Sequence, residues 1–222
     1  MNPLTRQRIG LLIEGHVQYQ FMTIEQIERF YSSFYPNWKR EAYYELMSRL
    51  QVAPKQRINR MSCGQRSQVA LGLILAQDPE VLVLDDFSLG LDPGYRRLFV
   101  DYLREYAKAE NKTVFLTSHI IQDMERLIDD CIIMDYGRIL IQMPVDELLG
   151  KFRRYTGNVR EGFDAKFDAT IYNPSVMRSS LEAFSMEPEE AVIKQLGANG
   201  VKNIVAERVS LEDAFIGLTG KY

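Results

Sequence analysis

Short apolar runs alternate along the chain with longer stretches in which apolar residues recur every three or four positions. Residues 8–13, 81–84 and 113–117 predict strands, and the uniformly apolar run at 81–84 is typical of a parallel strand covered on both faces. Residues 62–76 carry the helical period and predict a buried helix. Strands that alternate with helices in this way predict an α/β layered domain.

Helix-start signals place the remaining helices of this part of the chain. Thr23 with Gln26, and Ser62 with Gln65, have the spacing of capping boxes, while Asp92 precedes a proline suited to the first helical turn. Two helices between about residues 23 and 50 predict a small helical subdomain at about 21–60. The pattern also predicts a helix over residues 120–127.

The pattern of predicted elements changes after about residue 143. Before that point, a hairpin is predicted around residues 131–141. After it, the sequence predicts a helix at 145–152, a basic solvated loop at 153–160, a strand at 167–172 and a helix that begins near Ser210. We therefore expect two parts: residues 1–143 as an α/β layered domain, and residues 144–222 as a small α+β accessory domain.

Composition and charge exclude several classes of protein. With 46% hydrophobic and 26% charged residues the chain is typical of a globular protein, and its net charge of -3 gives no reason to expect nucleic acid as a partner. Apolar runs stay well below the roughly 18 residues that a membrane-spanning helix needs. Cys63 and Cys131 form neither a disulfide framework nor a metal-binding pattern. A cytoplasmic location is expected.

Two segments carry residues suited to binding phosphate or metal. The helix that begins at Ser62 offers backbone N–H groups and the positive end of its dipole, which suits an anion, although a plain helix cap is the alternative. Asp85 and Asp86 end a buried strand, where ligands bind in open α/β sheets. One carboxylate there can hold magnesium and the other can orient or deprotonate a water. His119 follows the next strand and can reach the same edge to contact a phosphate.

Taken together, these segments make the chain resemble the nucleotide-binding subunits of ABC transporters, in particular those of bacterial exporters. The resemblance extends along nearly the whole chain. It implies a partial ABC-type nucleotide-binding domain of the P-loop NTPase class over residues 1–143, with its helical subdomain at about 21–60 and a small α+β appendage over residues 144–222. The segments that carry it are Ser62-Cys63-Gly64-Gln65, Asp85-Asp86, Leu89-Gly90-Leu91-Asp92-Pro93, Thr117-Ser118-His119 and Ser210-Leu211-Glu212-Asp213-Ala214-Phe215.

The resemblance implies nucleotide contacts for residues of three segments. Ser62, Gly64 and Gln65 match the signature motif, which contacts the γ-phosphate of ATP held by the opposite subunit. Asp92 matches a loop that crosses the dimer interface, and Glu14 falls where the family usually has a glutamine that senses γ-phosphate and the membrane partner. ATP is therefore an expected ligand, and a homodimer or heterodimer with another nucleotide-binding subunit is expected.

The resemblance also assigns the carboxylates and the histidine. Asp85 matches the acid associated with Mg²⁺, Asp86 the catalytic carboxylate and His119 the switch histidine. It implies an ATPase that energises a transmembrane permease subunit, with the chain bound peripherally to the inner face of the cell membrane. The helical subdomain is where the resemblance locates the contact with that permease.

The sequence departs from the family pattern at positions that matter for hydrolysis. No G-x-x-x-x-G-K-[ST] phosphate loop occurs in the 222 residues. Cys63 stands where the motif has glycine, Asp86 where the family normally has glutamate, and Glu14 where it has glutamine. The shorter carboxylate of Asp86 reaches less far towards water, and loss of general-base help would cost about 10²–10⁴-fold in rate.

Three hypotheses are considered for the function of the chain, and the first two explain these departures. In the first, the phosphate loop lies upstream of the sequence given, and its loss leaves apolar sheet faces uncovered. In the second, the chain is a catalytically degenerate partner in a heterodimer, regulatory or structural, which lends its signature motif to a complete subunit. A relative acting on DNA or ribosomes is the third, and it ranks last because the long coiled coils or tandem domains of those proteins do not occur here.

Overall fold

The structure is a computed structural model that describes residues 2–13, 19–87, 91–122, 124–164 and 166–220. It divides into two compact units, Met1–Asp123 and Met124–Tyr222. The division falls before the hairpin, whereas the sequence-based boundary at 143/144 falls after it, and that boundary stays a prediction. Among the described residues, no helix is both long and apolar enough to cross a bilayer.

The first unit is built around a three-stranded parallel sheet, as the apolar runs predict. Its strands are β1 (Ile9–Leu12), β2 (Val81–Asp85) and β3 (Thr113–Thr117), in the order β1-β2-β3. The register sets Leu84 opposite Leu12 on one side and Leu116 on the other. The carboxyl ends of β2 and β3 therefore lie at the same edge of the sheet.

One face of this sheet packs against helix α4 (Cys63–Ala76), whose residues from Gln68 to Ala76 are all buried. The contact is close, because a Cβ on Gly10 of β1 would lie 2.5 Å from Ile74 Cγ2. The opposite face carries Leu11 and Phe115, which are 55% and 54% exposed. The described residues thus cover one face of the sheet and leave apolar side chains on the other.

The described residues of the first unit also form the α-helices α1 (Pro3–Gln7), α2 (Ile24–Ser32), α3 (Arg40–Arg49) and α5 (Pro93–Ala109). The capping boxes predicted at Thr23 and at Ser62 are both present. The Tyr43 hydroxyl, fully buried on α3, donates to the carbonyl of Ile24 at 3.1 Å and joins α3 to the start of α2. Helices α2 and α3 are therefore in contact, and the helical subdomain at about 21–60 stays a prediction.

The second unit contains a hairpin, a four-stranded sheet and three helices. The hairpin is β4 (Asp130–Asp135) with β5 (Arg138–Pro144). The sheet consists of β6 (Arg153–Asn158), β7 (Tyr172–Met177), β8 (Ser180–Ser185) and β9 (Lys202–Arg208), in the antiparallel order β7-β8-β6-β9. The helices are α6 (Val145–Lys151), α7 (Glu189–Ala198) and α8 (Leu211–Thr219). Tyr155 and Leu181 of the sheet and Leu196 of α7 form part of its core.

The helix predicted over residues 120–127 is wrong. In this stretch the described residues contain only a 3₁₀ turn at Met124–Arg126. The Ser118 hydroxyl accepts from the Ile120 N–H at 3.0 Å and donates to the Ile120 carbonyl at 3.1 Å. These local side-chain bonds compete with the helical ladder and hold the chain in a turn.

Two expectations for the second unit also need correction. The basic stretch at residues 153–160, predicted as a solvated loop, contains strand β6. Arg154 in this strand pairs with Glu207 at 2.8 Å, and Arg153 donates to carbonyls at the end of α6. The strand predicted at 167–172 begins only at Tyr172. Asp168 accepts from the backbone N–H of Thr170 at 2.9 Å, which makes a turn where the alternating pattern indicated a strand.

Candidate functional site

Two carboxylates and a threonine meet at the carboxyl edge of the first sheet. Asp85 is the last residue of β2 and lies opposite Thr117, the last residue of β3. The Thr117 hydroxyl donates to Asp85 Oδ1 at 2.5 Å. This hydrogen bond fixes one oxygen of Asp85 at the strand end, while the residue itself is exposed.

Asp86 follows in a left-handed backbone conformation, with φ of +43°. Its N–H donates to both the carbonyl and the hydroxyl of Thr117, each at 3.1 Å. Aspartate tolerates this conformation better than most residues, and the two hydrogen bonds stabilise it. The strand therefore ends in a turn that directs the Asp86 carboxylate differently from that of Asp85.

His119 joins the cluster through Asp86. Its Nδ1 lies 2.9 Å from Oδ1 and 2.8 Å from Oδ2 of Asp86. The imidazole is 57% exposed and the carboxylate 24%. When Nδ1 carries the proton it donates to the carboxylate, so Nε2 is the nitrogen that can contact a ligand. The structure thus brings together three of the residues that the sequence singles out: Asp85, Asp86 and His119.

A second set of candidate residues lies at the start of α4. The Ser62 hydroxyl accepts from the Gln65 N–H at 3.2 Å, and the Gln65 side-chain oxygen accepts from the Ser62 N–H at 3.1 Å. Part of the Gln65 amide is therefore used within the helix cap. Ser62 and Cys63 are both exposed, so the free end of the helix is open to an anion.

Tyr95 connects this helix start to Asp92. A Cβ on Gly64 would lie 2.6 Å from Cδ2 of the Tyr95 ring, so only glycine fits there without movement. Asp92 Oδ1 accepts from the N–H groups of Gly94 and Tyr95, at 2.9 and 3.1 Å, and caps α5. Buried Gln68 donates to the Tyr95 carbonyl at 3.1 Å. The signature-like segment and the Asp92 loop therefore form one packed arrangement.

The assignments of Glu14 to nucleotide binding and of Asp85 to Mg²⁺ stay predictions. Glu14 lies outside the residues that the structure describes. In the described part of the chain, no group of three or more potential ligands from His, Cys, Asp and Glu could hold a metal ion. Asp85 would thus be one protein ligand among water and phosphate oxygens, which is how Mg²⁺ is commonly bound.

Sequence reasoning missed Thr117 and Tyr95 as residues that organise the site. The role of Thr117 follows from the register that sets it opposite Asp85. The glycine at position 64 is a signal that could have indicated close packing, but no local pattern identifies the side chain that fills the space. Tyr95 does so from the first turn of α5.

Comparison with known proteins agrees with this architecture. Residues 51–122 match the family model of an AAA domain described as a putative AbiEii toxin of a type IV toxin–antitoxin system. The Nod factor export ATP-binding protein I of Rhizobium meliloti is 30% identical over 180 residues, which are 78% of this chain and 53% of that protein. An uncharacterised ABC transporter ATP-binding protein of Synechocystis is 27% identical over 221 residues, 96% of this chain and 62% of that protein.

Solved structures share the fold. The ATP-binding subunit of an ABC transporter has a TM-score of 0.57 and 23% identity, and covers 66% of this chain and 62% of its own. A second match is cbiO1 of Clostridium perfringens, part of an ABC transporter complex, with a TM-score of 0.55 and 24% identity over 66% of this chain and 61% of its own.

The chain shares the α/β fold of these ATP-binding subunits, as the sequence predicts. In sequence it is similar to ABC transporter ATP-binding proteins. The chain spans between about half and two thirds of the length of the curated relatives it matches.

Proposed function

We propose that the chain is the ATP-binding, energising subunit of an ABC transport complex, which couples ATP-driven dimerisation and hydrolysis to a separate membrane subunit. The observation that carries this proposal is the contact of Asp86 with His119 beside Asp85 at the carboxyl edge of the sheet. A carboxylate held by a histidine there is suited to orient a water for attack on a terminal phosphate.

ATP with Mg²⁺ is the proposed ligand. Asp85 offers a carboxylate at an exposed strand end, a donor type that Mg²⁺ prefers. The open end of α4 offers backbone N–H groups and the Ser62 hydroxyl to a γ-phosphate.

The phosphates need a further segment to cradle them, which we propose comes from residues outside these 222. Two observations support this. The sequence contains no G-x-x-x-x-G-K-[ST] loop. The sheet face that carries Leu11 and Phe115 is apolar and exposed, as is typical of a surface that another segment covers. That segment can belong to the same polypeptide or to a second subunit.

An aromatic groove on the helical subdomain is the proposed contact with the transmembrane permease subunit. It is lined by Tyr19, Phe30, Tyr31, Phe34 and Tyr35. The rings of Phe30 and Phe34 pack edge to face at 5.1 Å, and Phe34 is 56% exposed. Exposed aromatic clusters are favoured at protein interfaces. The chain would then act on the cytoplasmic side of the cell membrane, at its inner face.

A second function is supported by Cys63. Its exposed side chain stands at the helix start where the family has glycine, and it narrows the approach of phosphate to the backbone. In this alternative the chain is a catalytically degenerate partner, regulatory or structural, that lends Ser62 and Gly64 to ATP held by a complete subunit. The two functions differ in whether Asp86 supports hydrolysis.

The test mixes the 222-residue chain with a complete ABC ATP-binding subunit whose catalytic carboxylate has been neutralised, so that ATP is retained. Association is followed by light scattering with and without Mg-ATP. We expect ATP-dependent association that Ser62→Arg abolishes. Ser210→Arg is the matched control, because Ser210 caps α8 with the same capping-box geometry but lies outside the proposed site.

Three results would decide against the proposal. Association that is indifferent to Mg-ATP, or equal loss in both arginine variants, would remove the role of Ser62. Normal Mg-ATP turnover by the 222-residue chain alone would show that it needs no further segment. Hydrolysis that appears when the cradling segment is supplied, and disappears in Asp86→Asn, favours the energising function over the degenerate one.

A further inference from the structure

We infer that Thr117 is a positioning residue that sets both carboxylates of the site. This inference rests on the proposed function and adds a residue to it. The Thr117 hydroxyl donates to Asp85 Oδ1 at 2.5 Å and accepts from the Asp86 N–H at 3.1 Å. One hydroxyl therefore contacts the side chain of the first aspartate and the backbone of the second.

The two hydrogen bonds act on different degrees of freedom. The bond to Oδ1 fixes the side-chain torsions of Asp85, which is otherwise exposed at the strand end. The bond from the Asp86 N–H supports a left-handed backbone with φ of +43°, a conformation that costs energy for a residue with a side chain. Because a hydroxyl both donates and accepts, serine or threonine is required at this position.

The backbone conformation of Asp86 determines where its carboxylate lies. From that conformation both carboxylate oxygens reach His119 Nδ1, at 2.9 and 2.8 Å. The Asp86 N–H also donates to the Thr117 carbonyl, a bond that does not need the hydroxyl. Removing the hydroxyl should therefore leave the sheet paired while loosening the turn and the contact with His119.

The experiment compares three variants of the 222-residue chain. Thr117→Val removes the hydroxyl and keeps the shape, and Thr117→Ser restores the hydroxyl. Thr113→Val is the matched control, because Thr113 is the exposed first residue of the same strand and has the same side chain. The readouts are amide hydrogen exchange at Asp86 and the ¹⁵N chemical shift of His119 Nδ1, which need neither ATP nor a partner.

We expect the Asp86 amide to exchange about fivefold faster in Thr117→Val, since a neutral hydrogen bond such as the one from the Asp86 N–H to the hydroxyl contributes roughly that factor. The His119 Nδ1 shift should move towards that of an imidazole without a carboxylate neighbour. Thr117→Ser should return both values to the wild type, and Thr113→Val should leave them unchanged. Equal exchange and an equal Nδ1 shift in Thr117→Val and wild type would overturn the inference.

A second readout tests the consequence for turnover in the complex that supplies the phosphate loop. There we expect kcat to fall about tenfold in Thr117→Val while KM for ATP changes less than about twofold, with recovery in Thr117→Ser. A rise in KM alone would overturn the positioning role in hydrolysis. A wild-type complex without turnover would contradict the proposed function, and the exchange and shift measurements would still decide the role of Thr117.

Discussion

The Asp86 carboxylate lies within 2.9 Å of His119 Nδ1 through both of its oxygens. This contact links the ends of two neighbouring strands, because Asp86 follows β2 and His119 follows β3. It also engages the carboxylate that the proposed reaction would use to orient water. Substitutions at Asp86 therefore test the site most directly.

Asp86→Asn keeps the size of the side chain and the tolerance for a left-handed backbone, but it removes the negative charge. We expect kcat for ATP hydrolysis in the assembled complex to fall about 10²–10⁴-fold. ATP-dependent association should persist, because Ser62 and Gly64 are untouched. Asp101→Asn, on the exposed surface of α5, is the control and should change kcat little. Unchanged hydrolysis in Asp86→Asn would remove Asp86 from the mechanism.

Gly64→Ala should destabilise the fold because its methyl group would lie 2.6 Å from Cδ2 of the Tyr95 ring and 2.8 Å from its Cγ. We expect a loss of about 1–3 kcal/mol in the free energy of unfolding, as is typical of overpacked sites. Urea denaturation measures it. The double variant Gly64→Ala with Tyr95→Ala should show smaller losses than the sum of the two single changes.

The control for this prediction is Gly150→Ala. Gly150 lies in α6, and a Cβ there meets nothing within 4 Å. Alanine is favoured over glycine in a helix by roughly 0.5–1 kcal/mol, so this variant should be as stable as wild type or more so. Equal effects of the two alanine substitutions would show that Tyr95 does not constrain position 64.

Local signals in the sequence predicted those parts of the fold that local interactions determine. The caps at Thr23, Ser62, Asp92 and Ser210 depend on residues within one helical turn, and all four are present in the structure. The three strands of the first sheet also follow from their apolar runs. The sheet edge could be predicted because parallel strands place their carboxyl ends together.

Other features depend on contacts between distant residues and could not be read from local patterns. Thr117 meets Asp85 only because of the register between two strands, and Tyr95 meets Gly64 only because two helices pack. In the second unit, Arg154 belongs to a basic stretch that predicts a solvated loop. It lies instead on a central strand, where Glu207 of the neighbouring strand pairs with it. Strand pairing outweighed the basic composition of that segment.

Asp78, just after the end of α4, pairs with two lysines, one at the start of α3 and the other just before β3. Lys112 and Lys39 donate to its carboxylate at 2.6 and 3.1 Å. Burial is the largest single influence and raises the pKa of Asp78, but the bonds and charges of both lysines together outweigh it and lower the pKa below the ordinary 3.8. The carboxylate is 23% exposed, so solvent screens it only in part.

A lowered folded-state pKa means that ionised Asp78 stabilises the fold above its unfolded pKa and loses this contribution as the pH falls through the folded value. Asp78→Asn, which also tolerates the local φ of +52°, should cost about 1–2 kcal/mol at pH 7. The difference from wild type should stay constant down to about pH 5 and shrink below about pH 4. Urea denaturation across this range checks it, and a difference that grows towards acid pH would contradict it.

The two cysteines should differ sharply in reactivity. Cys63 is exposed at the start of α4, whereas Cys131 is buried and its thiol lies 3.5 Å from the Met143 carbonyl. Burial, with the nearby charge of Asp130, raises the pKa of the Cys131 thiol, so less of the reactive thiolate forms at neutral pH. Alkylation of the folded chain should therefore label Cys63 first, and Cys131 should be labelled fully only after unfolding.

Under the proposed function, ATP should protect Cys63. Because Cys63 lies between Ser62 and Gly64, a triphosphate held by the cradling segment would cover its thiol. We expect alkylation of Cys63 to slow about tenfold or more when Mg-ATP and the cradling segment are both present, and not when either is omitted. Peptide mass spectrometry over a time course measures both sites, with Cys131 as the internal reference. An equal labelling rate of Cys63 under all these conditions would show that nucleotide does not reach the start of α4.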